Sequence, residues 1–216
     1  MRHSFRIPKE MRNAVIQHID TAIQGVKPEG FQQEPAIVVA LISRMIGVAY
    51  EGEFGSVEFR ATSINDRGRG AAERKYGADF VITVDISDQE KSVSKAIVSQ
   101  AKKGEISELS KKEKERLNDQ IKRMINELGY ERPQVMEILQ YEGKYQPKMV
   151  SGTNYILGKP CNSRDLSAYF IDRVLTTKDG NTNPQFVKRV QDSSLPKLNT
   201  FVHINPGRTE QLRLFE

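Results

Sequence analysis

An acidic residue and an amide–lysine pair form the pattern with the clearest chemical use in this sequence. Asp79 stands at the start of an alternating segment, residues 79–86. Gln100 and Lys102 stand two apart in the next predicted strand, residues 95–103. Residues two apart in a strand point to the same face, so a hairpin of these strands would bring the three side chains together at one end of a sheet.

This combination of groups suits phosphoryl chemistry. A carboxylate and an amide oxygen can hold Mg²⁺, which prefers one or two carboxylates and fills its other positions with waters and substrate phosphate. An ammonium group beside the ion can orient an attacking water and stabilise the extra negative charge of the transition state. Asp85 shares a strand face with Asp79. It either extends the acidic site or caps the turn that follows.

The elements that must position these side chains follow from the hydrophobic pattern. Helices are predicted at residues 8–24, 35–50 and 165–176, and another is bounded by a capping box at Ser110 and by Gly129. Strands are predicted at residues 56–64, 79–86, 95–103, 134–141, 145–157 and 200–204. Residues 65–77 are predicted to form a flexible, basic connection. The pattern indicates an α/β fold around one mixed sheet.

Composition excludes several classes of protein. The 216 residues include 38% hydrophobic residues, enough for a folded core, and the net charge is +5. No apolar run approaches the roughly 20 residues that a membrane helix needs. The single cysteine, Cys161, and three scattered histidines argue against a disulfide, a zinc site and a His-based triad. We therefore expect a cytoplasmic protein without membrane association.

The segments GADFVITVDI and IVSQAKK resemble the PD-(D/E)XK nuclease superfamily, in which an Asp opens one strand and (Glu/Gln)-X-Lys lies on the next. The Gln form is similar to that of the Mrr-type restriction endonucleases. The resemblance covers about residues 34–141 and implies a restriction-endonuclease-like core, a central mixed sheet of about 4–5 strands flanked by helices. We expect residues 1–216 to form a single domain, with an N-terminal helix and a C-terminal α/β elaboration around that core.

The resemblance also implies roles for individual residues. Asp79 would be the metal-binding carboxylate, Gln100 would replace the usual Glu through its side-chain oxygen, and Lys102 would be the catalytic lysine. Ala101 would offer its backbone carbonyl to the metal, Mg²⁺ or Mn²⁺. Ala78 replaces the usual Pro, a tolerated change, but Gln100 removes a negative charge and should weaken metal affinity.

A further acid is expected from a helix before these strands. Glu34, at the start of the second predicted helix, is the main candidate, and Glu73 and Glu51 are the alternatives. Basic residues flank the pattern and would bind a phosphodiester backbone: Arg67, Arg69, Arg74, Lys75 and Lys103.

Three functions remain open from the sequence. The first is a metal-dependent endonuclease acting on nucleic acid, with DNA as the expected substrate, a homodimer as a possible assembly, and restriction or phage defence as the setting. The second is a catalytically inactive nucleic-acid-binding or protein-interaction module on the same fold. The third is an unrelated α/β protein in which the D…QxK match is accidental.

Overall fold

The computed structural model of the chain describes residues 5–31, 33–62 and 72–205, which contain eight strands and seven α-helices. The strands are β1 (Gly47–Gly52), β2 (Gly55–Thr62), β3 (Phe80–Ser87), β4 (Ser92–Lys103), β5 (Gln134–Tyr141), β6 (Lys144–Ser151), β7 (Arg164–Asp165) and β8 (Lys197–Ile204). The helices are α1 (Lys9–Gly25), α2 (Glu34–Arg44), α3 (Ala72–Tyr76), α4 (Lys111–Leu128), α5 (Gly152–Ile156), α6 (Leu166–Tyr169) and α7 (Pro184–Gln191). A 3₁₀ turn (Pro28–Gly30) precedes α2, and a π-helical turn (Phe170–Val174) continues α6.

All eight strands belong to one mixed sheet in the order β1-β2-β8-β3-β4-β5-β6-β7. The β3–β4 pair is antiparallel, whereas β5 runs parallel to β4 after the α4 crossover, and β8 runs parallel to β3. The α/β class is therefore confirmed, but the predicted sheet of about four to five strands was too small. The sheet is larger because β8 inserts between β2 and β3, while β1, β6 and β7 extend the two edges.

The second predicted helix was too long. It ends at Arg44, and the segment that follows becomes the edge strand β1, in which Gly47 pairs with Phe59. Gly47 has φ +138°, a conformation that favours glycine and cannot continue a helix. Because apolar residues continue from the end of α2 into β1, the hydrophobic pattern did not indicate where the helix ends and the strand begins. Helix α7, the α3 turn at residues 72–76 and the α5 turn after Ser151 were also not predicted.

Apolar side chains cover both faces of the sheet. Helices α1 and α2 pack on one face, to which β3 contributes Phe80 and Ile82, whereas α4 and α7 pack on the other face with Val81. The predicted alternation of β3 is thus confirmed. Asp79 has the same parity as Val81, so it belongs to the face covered by α4.

Helix α4 has the predicted ends. The Ser110 hydroxyl accepts from the backbone N–H of Glu113 at 3.3 Å, and the Glu113 carboxylate accepts from the Ser110 N–H at 2.9 Å. Gly129 ends the helix with φ +67°. These caps fix where α4 begins and ends, and so fix the crossover that places β5 beside β4. No helix within the described ranges is long and apolar enough to cross a membrane.

Gly77 sets how closely the start of β3 approaches α4. Its φ is +73°, and a Cβ there would lie well inside van der Waals contact with the backbone carbonyl of Gln120. We expect Gly77→Ala to lower the free energy of unfolding by about 3 kcal/mol, because left-handed strain adds to a clash with rigid backbone. Gly129→Ala is the matched control: its φ is +67° with no atom within 4 Å. It should cost about 1 kcal/mol in the same urea titration, and equal losses would contradict the proposed clash.

Candidate active site

The β3–β4 hairpin brings Asp79 and Gln100 into contact. Phe80 pairs with Ser99 in the antiparallel register, and the Asp79 N–H donates to the Ser99 carbonyl at 2.9 Å. The side-chain amide of Gln100 donates to Asp79 Oδ2, and the Ala101 N–H donates to the same oxygen at 2.8 Å. Two donors on adjacent residues of β4 therefore hold one oxygen of this carboxylate.

The contact between the Asp79 carboxylate and the Gln100 amide is buried, which is uncommon for polar side chains. Asp79 is 9% exposed and Gln100 only 1%. The Gln100 Nε2 also donates to the Ala101 carbonyl at 3.2 Å, but Gln100 Oε1 is buried without a hydrogen-bond partner among the described residues. A buried amide oxygen left unpaired costs about 1–3 kcal/mol. This orphaned oxygen lies on the side chain that, with Asp79, would bind a cation.

Lys102 meets Glu34 at the same end of the sheet. Lys102 Nζ lies 3.3 Å from Glu34 Oε2, and the backbone N–H of Lys103 donates to Glu34 Oε1 at 3.0 Å. The Lys102 side chain is 6% exposed and the Glu34 side chain 32%. Glu34 is the first residue of α2, where the helix dipole favours a carboxylate. Of the three candidate helix acids, Glu34 is thus in direct contact with the β4 segment.

The other two acids are not brought to this place by described contacts. Glu51 lies on the edge strand β1, paired with Ser56, and three strands separate β1 from β4 in the sheet order. The side chain of Glu73 lies outside the described part of the structure. Asp85 lies at the far end of β3, where its carboxylate accepts from the Ser94 hydroxyl at 2.5 Å. Asp85 is therefore paired within the hairpin strands and does not extend the acidic site. The turn that follows is capped by Asp88, which accepts from the N–H groups of Glu90 and Lys91 at 2.9 Å.

The flanking cations are only partly described. Arg67 and Arg69 lie outside the described residues. Arg74 and Lys75 are exposed on α3, which is tied to α4 by a 3.0 Å hydrogen bond from Arg123 to the Arg74 carbonyl. Lys103, at the end of β4, is also exposed. The three described cations thus lie on elements that directly precede β3 or end β4.

Two polar residues near the site were missed by the sequence analysis. Glu137 on β5 is the register partner of Lys102, is 7% exposed, and accepts from the Ile106 N–H at 2.9 Å. Burial raises the pKa of the Glu137 carboxyl. Gln120 on α4 is also buried, and its Oε1 has no hydrogen-bond partner in the described part of the chain. The parallel β4–β5 register, which the sequence does not specify, is what brings Glu137 beside Lys102.

The groups that could bind a metal ion at this site are of several chemical types. Among the described residues, no group of three or more His, Cys, Asp and Glu side chains is arranged to hold a metal ion. The Gln100 side-chain nitrogen instead bridges two oxygens, one from the Asp79 carboxylate and one from the Ala101 backbone carbonyl. Rotation of the Gln100 amide would add its own oxygen to these two. Such a set suits a hard cation that keeps several waters.

No protein-family model, curated protein or solved structure significantly matches this chain. The function of the site has to be inferred from its own geometry.

Proposed function

We propose that this protein is a metal-dependent nuclease that hydrolyses phosphodiester bonds of nucleic acid, with DNA as the substrate. The observation that carries the proposal is the contact between Asp79 and Gln100 at one end of the β3–β4 hairpin. Lys102 follows Gln100 by two residues on β4 and is held by Glu34. A carboxylate and an amide oxygen can hold a divalent cation, and an ammonium group can stabilise the charge that develops on the phosphate during hydrolysis.

The residues fit a divalent cation. Asp79, Gln100 and the Ala101 carbonyl would hold Mg²⁺ or Mn²⁺, and rotation of the Gln100 amide would turn its unpaired Oε1 toward the ion. The bound ion would supply Lewis-acid polarisation of the phosphate and charge neutralisation. Because Gln100 is neutral, the site carries one negative charge fewer than a pair of carboxylates, so weak metal affinity is expected.

Lys102 is the residue proposed to act on the attacking water. Its ammonium group is almost fully buried and is anchored by Glu34, so its position is fixed before substrate binds. From there it would donate a hydrogen bond to the water and stabilise the additional negative charge on the phosphate oxygens. Glu34 is a positioning residue in this account, since it acts through Lys102 and the Lys103 backbone.

Substrate binding would rest on phosphate contacts. Arg74, Lys75 and Lys103 are exposed cations on elements that adjoin the site, and the chain has a net charge of +5. Binding through such residues is electrostatic and weakens with salt. Arg67 and Arg69 are proposed to add to this surface.

Asp79→Asn tests the proposal with a matched control. We expect the substitution to abolish Mg²⁺- or Mn²⁺-dependent cutting of plasmid DNA, because the amide removes the site's carboxylate charge. Asp85→Asn removes a carboxylate from the same strand and the same face, outside the site, and should cut like the unaltered protein. Plasmid, single-stranded DNA and RNA serve as substrates. Equal cutting by both variants would contradict the assignment of Asp79.

A non-catalytic nucleic-acid-binding module is the second candidate. It is favoured by the way Asp79 is satisfied without any cation, through the Gln100 amide and the Ala101 N–H. In that case the protein would bind DNA in a salt-dependent manner and leave it intact with either metal. Gel-shift and cleavage assays on the same sample separate the two functions.

A further inference from the structure

A basic pocket lies on the other side of the sheet from Asp79 and Gln100. Its volume is about 400 Å³, and it is formed where β5 begins and β6 ends, beside the α6 segment. Met149 and Tyr169 in its wall belong to the core on the α1 face. Gln100 has the parity of Val98, which belongs to the core on the α4 face. The pocket is therefore separate from the candidate active site.

Three arginines from three separate segments line this pocket: Arg132, Arg164 and Arg173. Arg132 is exposed, and its guanidinium makes no hydrogen bond or ion pair with the described residues. Arg164 lies 3.6 Å from Asp172, a carboxylate that also lies 3.6 Å from Arg12 outside the pocket. Two of the three guanidinium groups thus keep donors available for a ligand.

The third arginine is held in a fixed position. Arg173 makes a two-point contact with Asp179, at 2.8 Å and 3.2 Å, and Asp179 is only 5% exposed. The Asp179 backbone carbonyl accepts in turn from the buried Lys95 at 2.7 Å. The guanidinium group of Arg173 is therefore a positively charged part of the pocket wall that hydrogen bonds hold in place.

Further donors surround the arginines. Asn154 and Asn162 line the pocket, as does Tyr169, whose buried hydroxyl lies beside the Asp179 carboxylate. Burial and the neighbouring Asp179 raise the pKa of Tyr169, so its hydroxyl stays protonated. The lining is rich in N–H and O–H groups, which an acceptor-rich ligand would satisfy.

Charge and size define the ligand class. Three guanidinium groups against the one lining carboxylate, Asp179, leave two positive charges in the lining. A phosphate monoester carries about −1.5 to −2 charge at neutral pH and has three acceptor oxygens, and arginine binds phosphate in a two-point manner. Pockets of about 300–1,000 Å³ hold ligands of nucleotide size. We propose that this pocket binds a small phosphate-bearing ligand, such as a mononucleotide, independently of the candidate active site.

Calorimetry with three probes tests the proposal: adenosine 5′-monophosphate, inorganic phosphate and adenosine. We expect the monophosphate to bind with a dissociation constant below about 1 mM and adenosine not to bind. Tighter binding of the monophosphate than of inorganic phosphate supports a phosphate ester as the ligand, and equal affinities support free phosphate. Binding of adenosine as tight as that of the monophosphate, or no binding of either phosphate compound at millimolar concentrations, would overturn the proposal.

Variants locate the binding in the pocket. Arg132→Gln and Arg164→Gln should each weaken monophosphate binding about tenfold, through loss of a charged hydrogen bond. Arg12→Gln is the matched control, because Arg12 shares the Asp172 contact but does not line the pocket; it should leave the affinity unchanged. Asp79→Asn should also leave it unchanged. If Asp79→Asn removes binding, or if neither pocket variant weakens it, the ligand lies elsewhere and the proposal is wrong.

Discussion

Lys102→Ala should lower the rate of metal-dependent DNA cleavage by about 10³-fold, the loss typical when one preorganised donor to a transition state is removed. The ammonium group is buried and held by Glu34, so no exposed lysine nearby can take its exact position. Substrate affinity should change little, because the phosphate contacts are assigned to other cations. The rate of plasmid nicking under single-turnover conditions, beside a gel-shift assay, separates the two effects.

A loss of cleavage by Lys102→Ala must be distinguished from a failure of the variant to fold. Lys102 is buried, so its removal should lower the free energy of unfolding by more than the loss of an exposed ion pair would, up to about 3–5 kcal/mol for a fully buried pair. A urea titration of Lys102→Ala therefore accompanies the cleavage assay and establishes that the variant is folded. Lys144→Ala, at the exposed start of β6, is the matched lysine control and should cut normally. A folded Lys102→Ala protein that still cuts at the original rate would remove Lys102 from the mechanism.

A second large effect concerns the stability of the fold. Lys95 is 1% exposed, and its ammonium group donates to the backbone carbonyls of Val174 and Asp179. Burial lowers the pKa of Lys95 from about 10.5 to about 7; the charge of Asp179 opposes this shift, and that of Arg173 adds to it. Between these two values the unfolded chain holds a proton that the folded chain does not. Stability from this group therefore rises with pH across that window.

The comparison of Lys95→Met with the unaltered protein isolates this contribution. From pH 7 to pH 9 the free energy of unfolding of the unaltered protein should rise relative to the variant by about 2 kcal/mol. Urea titrations at several pH values measure the difference. Lys178→Met removes an exposed lysine beside Asp179, in the loop that the Lys95 side chain contacts, and should show no such trend. A constant difference between the Lys95→Met variant and the unaltered protein across this range would mean that Lys95 keeps its proton when folded.

Local signals in the sequence predicted the parts of the fold that depend on local chemistry. The capping box at Ser110 and the left-handed Gly129 mark the ends of α4 because both act within a few residues. The alternation of β3 placed Asp79 on the correct face. The expected hairpin followed from two adjacent strands joined by a short polar turn.

Features that depend on distant residues were not predicted from local patterns. Strand β8 lies between β2 and β3, although it is the last strand in the chain. The contact of Glu34 with Lys102 joins residues 68 apart, and only the family resemblance suggested that acid. Nothing in the sequence around Glu137 distinguishes it from other polar residues in strands; only the β4–β5 register pairs it with Lys102. Tertiary pairing decides such positions, and no local pattern encodes it.

Metal-dependent nuclease activity is tested most simply with supercoiled plasmid, which is incubated with the purified, unaltered protein and Mg²⁺ or Mn²⁺, and again with excess chelator. We expect nicked or linear DNA with metal and intact DNA with chelator, because the buried Asp79–Gln100 pair requires a cation to act on phosphate. Intact plasmid, single-stranded DNA and RNA under every metal condition, with salt-sensitive DNA binding retained, would contradict a nuclease and leave a binding module.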